Sequence, residues 1–384
     1  MRRVYITGIG QTSVQEHWDR SARELAASTI LEAMEQAGIQ KADAIYVGNA
    51  LSGELTGQEN VAALVADFAG LTGTEAIRVE AAGASGGAAV RLGYLAVASG
   101  VQDTAIVTGV EKMSDLTGPS VEEALATSTD EEYEAIHGLS LVALNALVMR
   151  RYMHQFDVER RDFAHFSVNA HRNAANNPYA MFRRPITVEQ FEKSRLVADP
   201  IGLLDSAGAG DGAATIILCS EEEAGGRANS SVEIIGSALA TDAVALHDRS
   251  LPLFLRAVYD SAQKAYEQAG VGPEQIDIFE LHDASAILAA LSLEASGFAS
   301  EGQGVRLAMQ GEIALEGSIP ICTMGGLKGR GCPVGAAGVY QVVELVQQLR
   351  GEAGANQVDA RLGMAQSIGG TGATAVTHIL KAPE

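Results

Sequence analysis

Cysteine is scarce in this chain: Cys219, Cys322 and Cys332 are the only three in 384 residues. None sits in a CxxC or Cys/His spacing, so neither a disulfide framework nor a zinc site is expected, and no metal is implied. Cys219 in the apolar run 213–219 and Cys322 after Ile321 read as core thiols. No apolar run reaches the roughly 18 residues of a membrane span. The opening MRRVYITGIGQT is too short in its apolar part for a signal peptide and reads as a strand. A reducing, cytoplasmic setting is the expectation. Cations are also few, 27 Lys and Arg against 48 Asp and Glu, giving a net charge of −21. So acidic a chain excludes nucleic acid or an anionic membrane as its main partner.

The charge is uneven. From 115 to 134 there are seven acids and no Lys or Arg, whereas 150–195 carries nine cations against five acids. A basic island in an acidic protein is either a solvated helical face or a landing surface for a small anion such as a nucleotide phosphate. Glycine, by contrast, is abundant at 42 residues, with only 9 prolines and no tandem period. That pattern points to tight turns and close helix packing. The length exceeds the roughly 250–300 residues at which one core stops growing, so two core-forming units are expected.

Residues 4–9 read as a strand, and Ser21 with Glu24 as a capping box. The helix that follows carries Leu25, Ile30, Ala33, Met34 and Ala37 on one face and closes at Gly38. Strands near 44–47 and 77–80 come next, then a small-residue helix to about Ser99 and a buried strand at 104–108. The second half repeats this order. Glu35-Gln36-Ala37-Gly38-Ile39 is echoed by Glu267-Gln268-Ala269-Gly270-Val271, and each is followed by an Asp, Asp43 or Asp277, and an apolar strand. Final strands fall near 362–365 and 373–380. The pattern predicts a duplicated α/β unit with mainly parallel sheets. A helical insertion at 119–205 separates 1–118 plus 206–242 from 243–384.

Several stretches can carry chemistry. Gly83-Ala84-Ser85-Gly86-Gly87 matches the G-x-S-x-G of a nucleophile elbow, although close helix packing demands the same small residues. Gly8-Ile9-Gly10 lacks the third glycine of a dinucleotide fingerprint, and the 325–331 loop lacks the GK[ST] of a P-loop. His282 ends an apolar strand, well placed to donate into a cleft. Cys332 lies in a glycine-rich turn that opens a helix, where exposed N–H groups lower a thiol's pKa. Ser367-Ile368-Gly369-Gly370-Thr371-Gly372 is a turn able to aim N–H groups at an oxyanion, or a plain tight turn.

Together these segments resemble the thiolases. Glu80-Ala81-Ala82-Gly83-Ala84-Ser85-Gly86 resembles their nucleophile segment EAACASG, and Gly109-Val110-Glu111-Lys112-Met113-Ser114 the strand and turn after it. Asn176-Asn177-Pro178-Tyr179-Ala180, Asp211-Gly212-Ala213-Ala214, Thr241-Asp242 and Leu246-His247-Asp248-Arg249 also match. So do Glu280-Leu281-His282-Asp283-Ala284 and the loop Gly325-Gly326-Leu327-Lys328 with Gly331-Cys332-Pro333-Val334-Gly335-Ala336. The match runs from about 4 to 380 and is closest to sterol-carrier-type and archaeal thiolases. It implies a five-layered αβαβα fold with a helical loop domain, and a homodimer or higher homo-oligomer. It also implies acyl-CoA as substrate, with no bound cofactor.

By that resemblance the nucleophilic cysteine is replaced by Gly83 and the activating histidine of the GHP loop by Cys332. The final-loop position, often cysteine, is Ser367. Ala284 and Ser285 replace third-loop residues, and with Gly326 they are the expected substrate contacts. His282 is the retained catalytic side chain, and the N–H groups of Gly83 and Gly369 are the expected oxyanion site. Loss of the nucleophile removes the acyl-enzyme route. Three readings stay open. One is C–C bond formation or cleavage beside a CoA thioester without an acyl-enzyme, retro-aldol cleavage included. Another has Cys332 as the nucleophile. The last is a non-catalytic acyl-CoA-binding or scaffolding subunit, paired with a small OB-fold and zinc-ribbon protein.

Overall fold

The computed structural model describes residues 1–383. Its strands are β1 (Val4–Gln11), β2 (Ala44–Gly48), β3 (Glu75–Val79), β4 (Thr104–Glu111), β5 (Leu196–Ala198), β6 (Ile201–Gly202), β7 (Gly212–Ser220), β8 (Val232–Thr241), β9 (Ile278–Glu280), β10 (Leu362–Gly369) and β11 (Thr374–Lys381). Nine of them hydrogen-bond in the order β3-β2-β4-β7-β1-β8-β11-β10-β9, and Ile321 bridges the outer side of β9 at Phe279. The order is a palindrome of two equivalent halves, β3-β2-β4-β7-β1 and β8-β11-β10-β9 with Ile321. Within the sheet they meet at Tyr5↔Glu233 and Ile6↔Val232.

The sequence echo has a structural cause. The Ala22–Ala37 and Arg256–Ala269 helices end at left-handed Gly38 and Gly270, with φ of 66° and 70°. Asp43 then accepts from the Asp103 and Thr104 N–H groups at 2.9 and 3.0 Å, and Asp277 from those of Arg361 and Leu362 at 2.8 and 2.9 Å. Each aspartate therefore pins the start of the strand beside its own, β4 or β10. The expectation of mainly parallel sheets fails. β2 is parallel to β3 and β4, and β9 to β10, but β7, β1, β8 and β11 pair antiparallel. For β10 and β11 the physical reason is the short turn from Gly369 to Thr374, because so short a connection joins only antiparallel strands.

Two helices, Ser85–Ser99 and Ala337–Leu349, form the central layer and share a core with strands of both halves. Their backbones touch: a Cβ on Gly338 would lie 2.3 Å from the Gly87 nitrogen, and one on Gly86 2.9 Å from the Val339 nitrogen. Ala22–Ala37 with Val61–Phe68 covers the outer face of the first half. Arg256–Ala269 and Ala286–Ala295 cover that of the second. The result is five layers, αβαβα. Ser85 is not a nucleophile in this setting. It is fully buried, donates to the Ala82 carbonyl at 2.6 Å and accepts from the Ala81 N–H at 2.9 Å.

Between β4 and β7 the chain is mainly helical, with Gly118–Ala126, Leu141–Phe156, Ala164–Ala174 and Val188–Lys193 followed by the β5–β6 pair. Buried asparagines tie this segment to the second half. Asn169 donates to the Ile313 and Ile321 carbonyls, Asn173 to that of Cys322 and Asn177 to that of Met324. No helix among the described residues is long and apolar enough to cross a membrane.

Candidate active site

One cavity of about 260 Å³ gathers residues from segments far apart in sequence. Gly83 enters it from the 3₁₀ turn ahead of the first central helix, His282 and Ala284 from the segment after β9, and Cys332 and Val334 from the loop before the second central helix. Ile368 comes from the end of β10 and Gly370 from the turn after it, and Leu125, Leu141 and Asn145 from the helical insertion. Four residues nominated from sequence, Gly83, His282, Ala284 and Cys332, thus share one space.

At Gly83 there is no room for a side chain on this backbone. A Cβ would sit 2.5 Å from the Ile368 carbonyl oxygen and 3.2 Å from His282 Cε1. The preceding Ala82 adopts φ of 51°, and its N–H donates to Glu80 Oε1 at 2.5 Å. The turn's own bonds run from Ala84 N–H to Ala81 O and from the Ser85 N–H to Ala82 O, which leaves the Gly83 N–H outside them.

His282 is buried, and burial with the charges of Lys328 and Arg330 pushes its pKa down to about 3. The ring is therefore neutral at physiological pH. Among the described residues its enclosed Nδ1 has no hydrogen-bond partner, whereas Nε2 lies 3.4 Å from the Gly83 Cβ position, toward the cavity. A neutral imidazole with its proton on Nε2 donates to an oxygen there and is too weakly basic to abstract protons efficiently.

The expected acidic thiol at Cys332 is not found. Burial pushes the Cys332 thiol up to about 12, against the opposing charge of Arg330. The side chain packs among Leu327 and Ala337, and the Cys332 N–H is committed to the Gly208 carbonyl at 2.8 Å. A 3₁₀ turn over Val334–Ala336 and then the Ala337–Leu349 helix follow Cys332.

The other nominated residues lie behind the cavity wall. Ser367 points to the central helix, its Oγ only 2.1 Å from a Cβ built on Gly87, and makes no hydrogen bond. Gly369 backs onto Ala81, whose carbonyl would be 2.5 Å from its Cβ, and its neighbour Gly370 reaches the cavity instead. Ser285 stands at the N-cap position of the Ala286–Ala295 helix, and its hydroxyl makes no capping hydrogen bond. Gly326, with φ of 56°, leaves room for Asp283, whose Oδ1 accepts from the Leu327 N–H at 2.6 Å. Lys328 Nζ donates back to the Asp283 carbonyl, so this reciprocal clamp fixes the segment that presents His282.

The basic island does not reach the cavity. Arg150 pairs with Asp199, Arg160 with Asp205 and Arg172 with Glu316. The cavity mouth instead carries Glu54, Glu59 and Glu80, with Arg78 bound to Glu59 at 2.5 Å. Sequence reasoning also missed Asn145. Its signal was present, as one amide inside the apolar stretch Leu141-Val142-Ala143-Leu144-Asn145-Ala146-Leu147-Val148-Met149.

A model of the thiolase N-terminal domain matches residues 4–222, and one of a thiolase C-terminal-like domain matches residues 238–382. The chain belongs to the thiolase family. An acetyl-CoA acetyltransferase of Methanothermobacter thermautotrophicus is 44% identical over 382 residues, covering 99% of both chains. The benzoylsuccinyl-CoA thiolase subunit BbsB of Thauera aromatica is 31% identical over 96% of this thiolase-family chain and 95% of its own. A solved structure titled Ltp2-ChsH2(DUF35) aldolase superposes with a TM-score of 0.85 at 25% identity, covering all of this chain and 98% of the other.

Proposed function

We propose that this thiolase-family protein binds acyl-CoA thioesters and makes or breaks a C–C bond beside the thioester without forming an acyl-enzyme. Retro-aldol cleavage is the reaction that fits best. The observation that carries the proposal is Gly83, at the position where the motif of the family places its nucleophile. Its Cβ direction is closed by the Ile368 carbonyl at 2.5 Å. Cys332 is no substitute, because its thiol is held protonated. The surviving chemistry is electrostatic. His282 Nε2–H and the Gly83 N–H are donors for a thioester oxygen, and they favour the enolate form of the thioester.

In the proposed step, a 3-hydroxyacyl thioester gives its hydroxyl proton to solvent water, which later returns one to C2, and the bond between C2 and C3 breaks. Its electrons pass to the thioester as an enolate, C3 leaves as a carbonyl compound, and C2 takes up a proton. No external oxidant, metal or bound cofactor enters this balance. The aldolase title of the superposing structure supports the reading, and its second, DUF35 component motivates a small partner protein here beside a homo-oligomer. The test is to incubate purified protein with 3-hydroxyacyl-CoA and follow release of an aldehyde and the shortened acyl-CoA. Release that falls by roughly 10²-fold or more in His282→Ala supports the reading. Binding without any turnover, with and without a DUF35 partner, favours a non-catalytic acyl-CoA-binding subunit, the reading to which BbsB's description as a subunit lends weight.

A further inference from the structure

We propose that Asn145 is a specificity-determining residue of this cavity, reading an oxygen on C3 of the bound acyl chain. The inference rests on the C–C bond reading above and names its substrate class as 3-oxygenated short acyl thioesters. Asn145 is 4% exposed and lines the cavity, yet among the described residues neither atom of its amide makes a hydrogen bond, and Oδ1 is fully enclosed. Buried amides are normally satisfied. Elsewhere in the same helical insertion Asn169, Asn173 and Asn177 each donate to a backbone carbonyl, although Asn173 Oδ1 also lacks a partner among the described residues, whereas at Asn145 neither atom is engaged.

The surroundings define what the amide can meet. Leu141 lies one turn earlier on the same helical face and also lines the cavity. Leu125, Leu288 and Ile368 complete an apolar wall suited to a short carbon chain. A lone amide in such a wall matches a ligand that is apolar apart from one oxygen. It disfavours a plain acyl chain, which would leave both amide atoms desolvated and unpaired. With Oδ1 enclosed, Nδ2 is the amide atom open to the cavity, and as a donor it suits either a hydroxyl or a keto oxygen.

The experiment is calorimetric titration of wild type and Asn145→Leu with 3-hydroxybutyryl-CoA and butyryl-CoA. Wild type is expected to bind the hydroxyacyl thioester about tenfold tighter. Asn145→Leu is expected to bring the ratio close to one, by weakening the hydroxyacyl ligand and sparing or tightening the plain one. Equal weakening of both overturns the inference, because the amide would then serve the shared CoA portion; an unchanged ratio overturns it equally. Absence of binding for either thioester defeats the parent reading as well. A second measurement is the melting temperature without ligand. Asn145→Leu should equal or exceed wild type, and a drop of several degrees would mean that the fold itself uses the amide, against the inference.

Discussion

At the scale of single residues, the site is defined by groups kept uncharged. His282 is neutral because burial and two buried cations oppose its protonation. Its folded-state pKa, about 3, lies below the ordinary histidine value, so the unfolded chain binds a proton first as pH falls. The residue contributes no pH dependence above about pH 7. It costs stability progressively from about 6.5 downwards, by up to about 1.4 kcal/mol per pH unit. His282→Gln should therefore gain stability relative to wild type as pH is lowered through that window, as measured by urea unfolding at pH 7, 6 and 5. A gap independent of pH would mean that His282 is accessible to protons in the fold. Cys332 gives a second expectation. With its thiol pushed up to about 12, alkylation by iodoacetamide at pH 7.5 should be slow in the folded protein, and Cys332→Ala should retain turnover. Fast labelling, or loss of turnover in Cys332→Ala, would contradict the assignment. The sequence alone misjudged this thiol. The glycine-rich turn was legible, but the burial of its sulfur against Leu327 and Ala337 depends on segments that no local pattern specifies.

At the scale of elements, the close contact of the two central helices sets the distance between the halves. Gly338→Ala would place its methyl group 2.3 Å from the Gly87 nitrogen, and neither helix backbone can yield without moving a sheet. A loss of at least about 1–3 kcal/mol is expected from chemical denaturation, as for overpacked cores. A neutral result would show that the helices are farther apart than described. The clamp between Asp283 and Lys328 is a second element-level feature. Lys328→Met removes the donor to the Asp283 carbonyl and one of the cations facing His282. The His282 pKa should then rise, followed by NMR of labelled histidine. An unchanged titration would assign its depression to burial and Arg330 without Lys328. These small-residue helices were legible from glycine content, and the helix ends from Gly38 and Gly270. The antiparallel pairing of β7 and β11 was not, because strand direction depends on connections that periodicity does not encode.

At the scale of the whole molecule, the duplication was readable in one five-residue echo and its following aspartates. Asp43 and Asp277 do the same backbone work in the two halves. The cavity was readable only in part, because its walls come from seven segments; the basic island lies outside those walls, and Arg150, Arg160 and Arg172 within it are engaged in ion pairs. The mouth is acidic, so Glu54→Gln with Glu80→Gln should tighten CoA-thioester binding several-fold at low salt, with the gain fading as salt screens it. No gain would place the CoA phosphates far from this rim. The central claim, however, is that chemistry at the thioester proceeds here without a covalent intermediate. Its most direct test is intact-protein mass spectrometry on samples quenched during turnover of a 3-hydroxyacyl-CoA. The account predicts an unshifted protein mass while aldehyde and shortened acyl-CoA accumulate. An acyl adduct that forms and decays at the rate of turnover, on Cys332 or any other side chain, would contradict it.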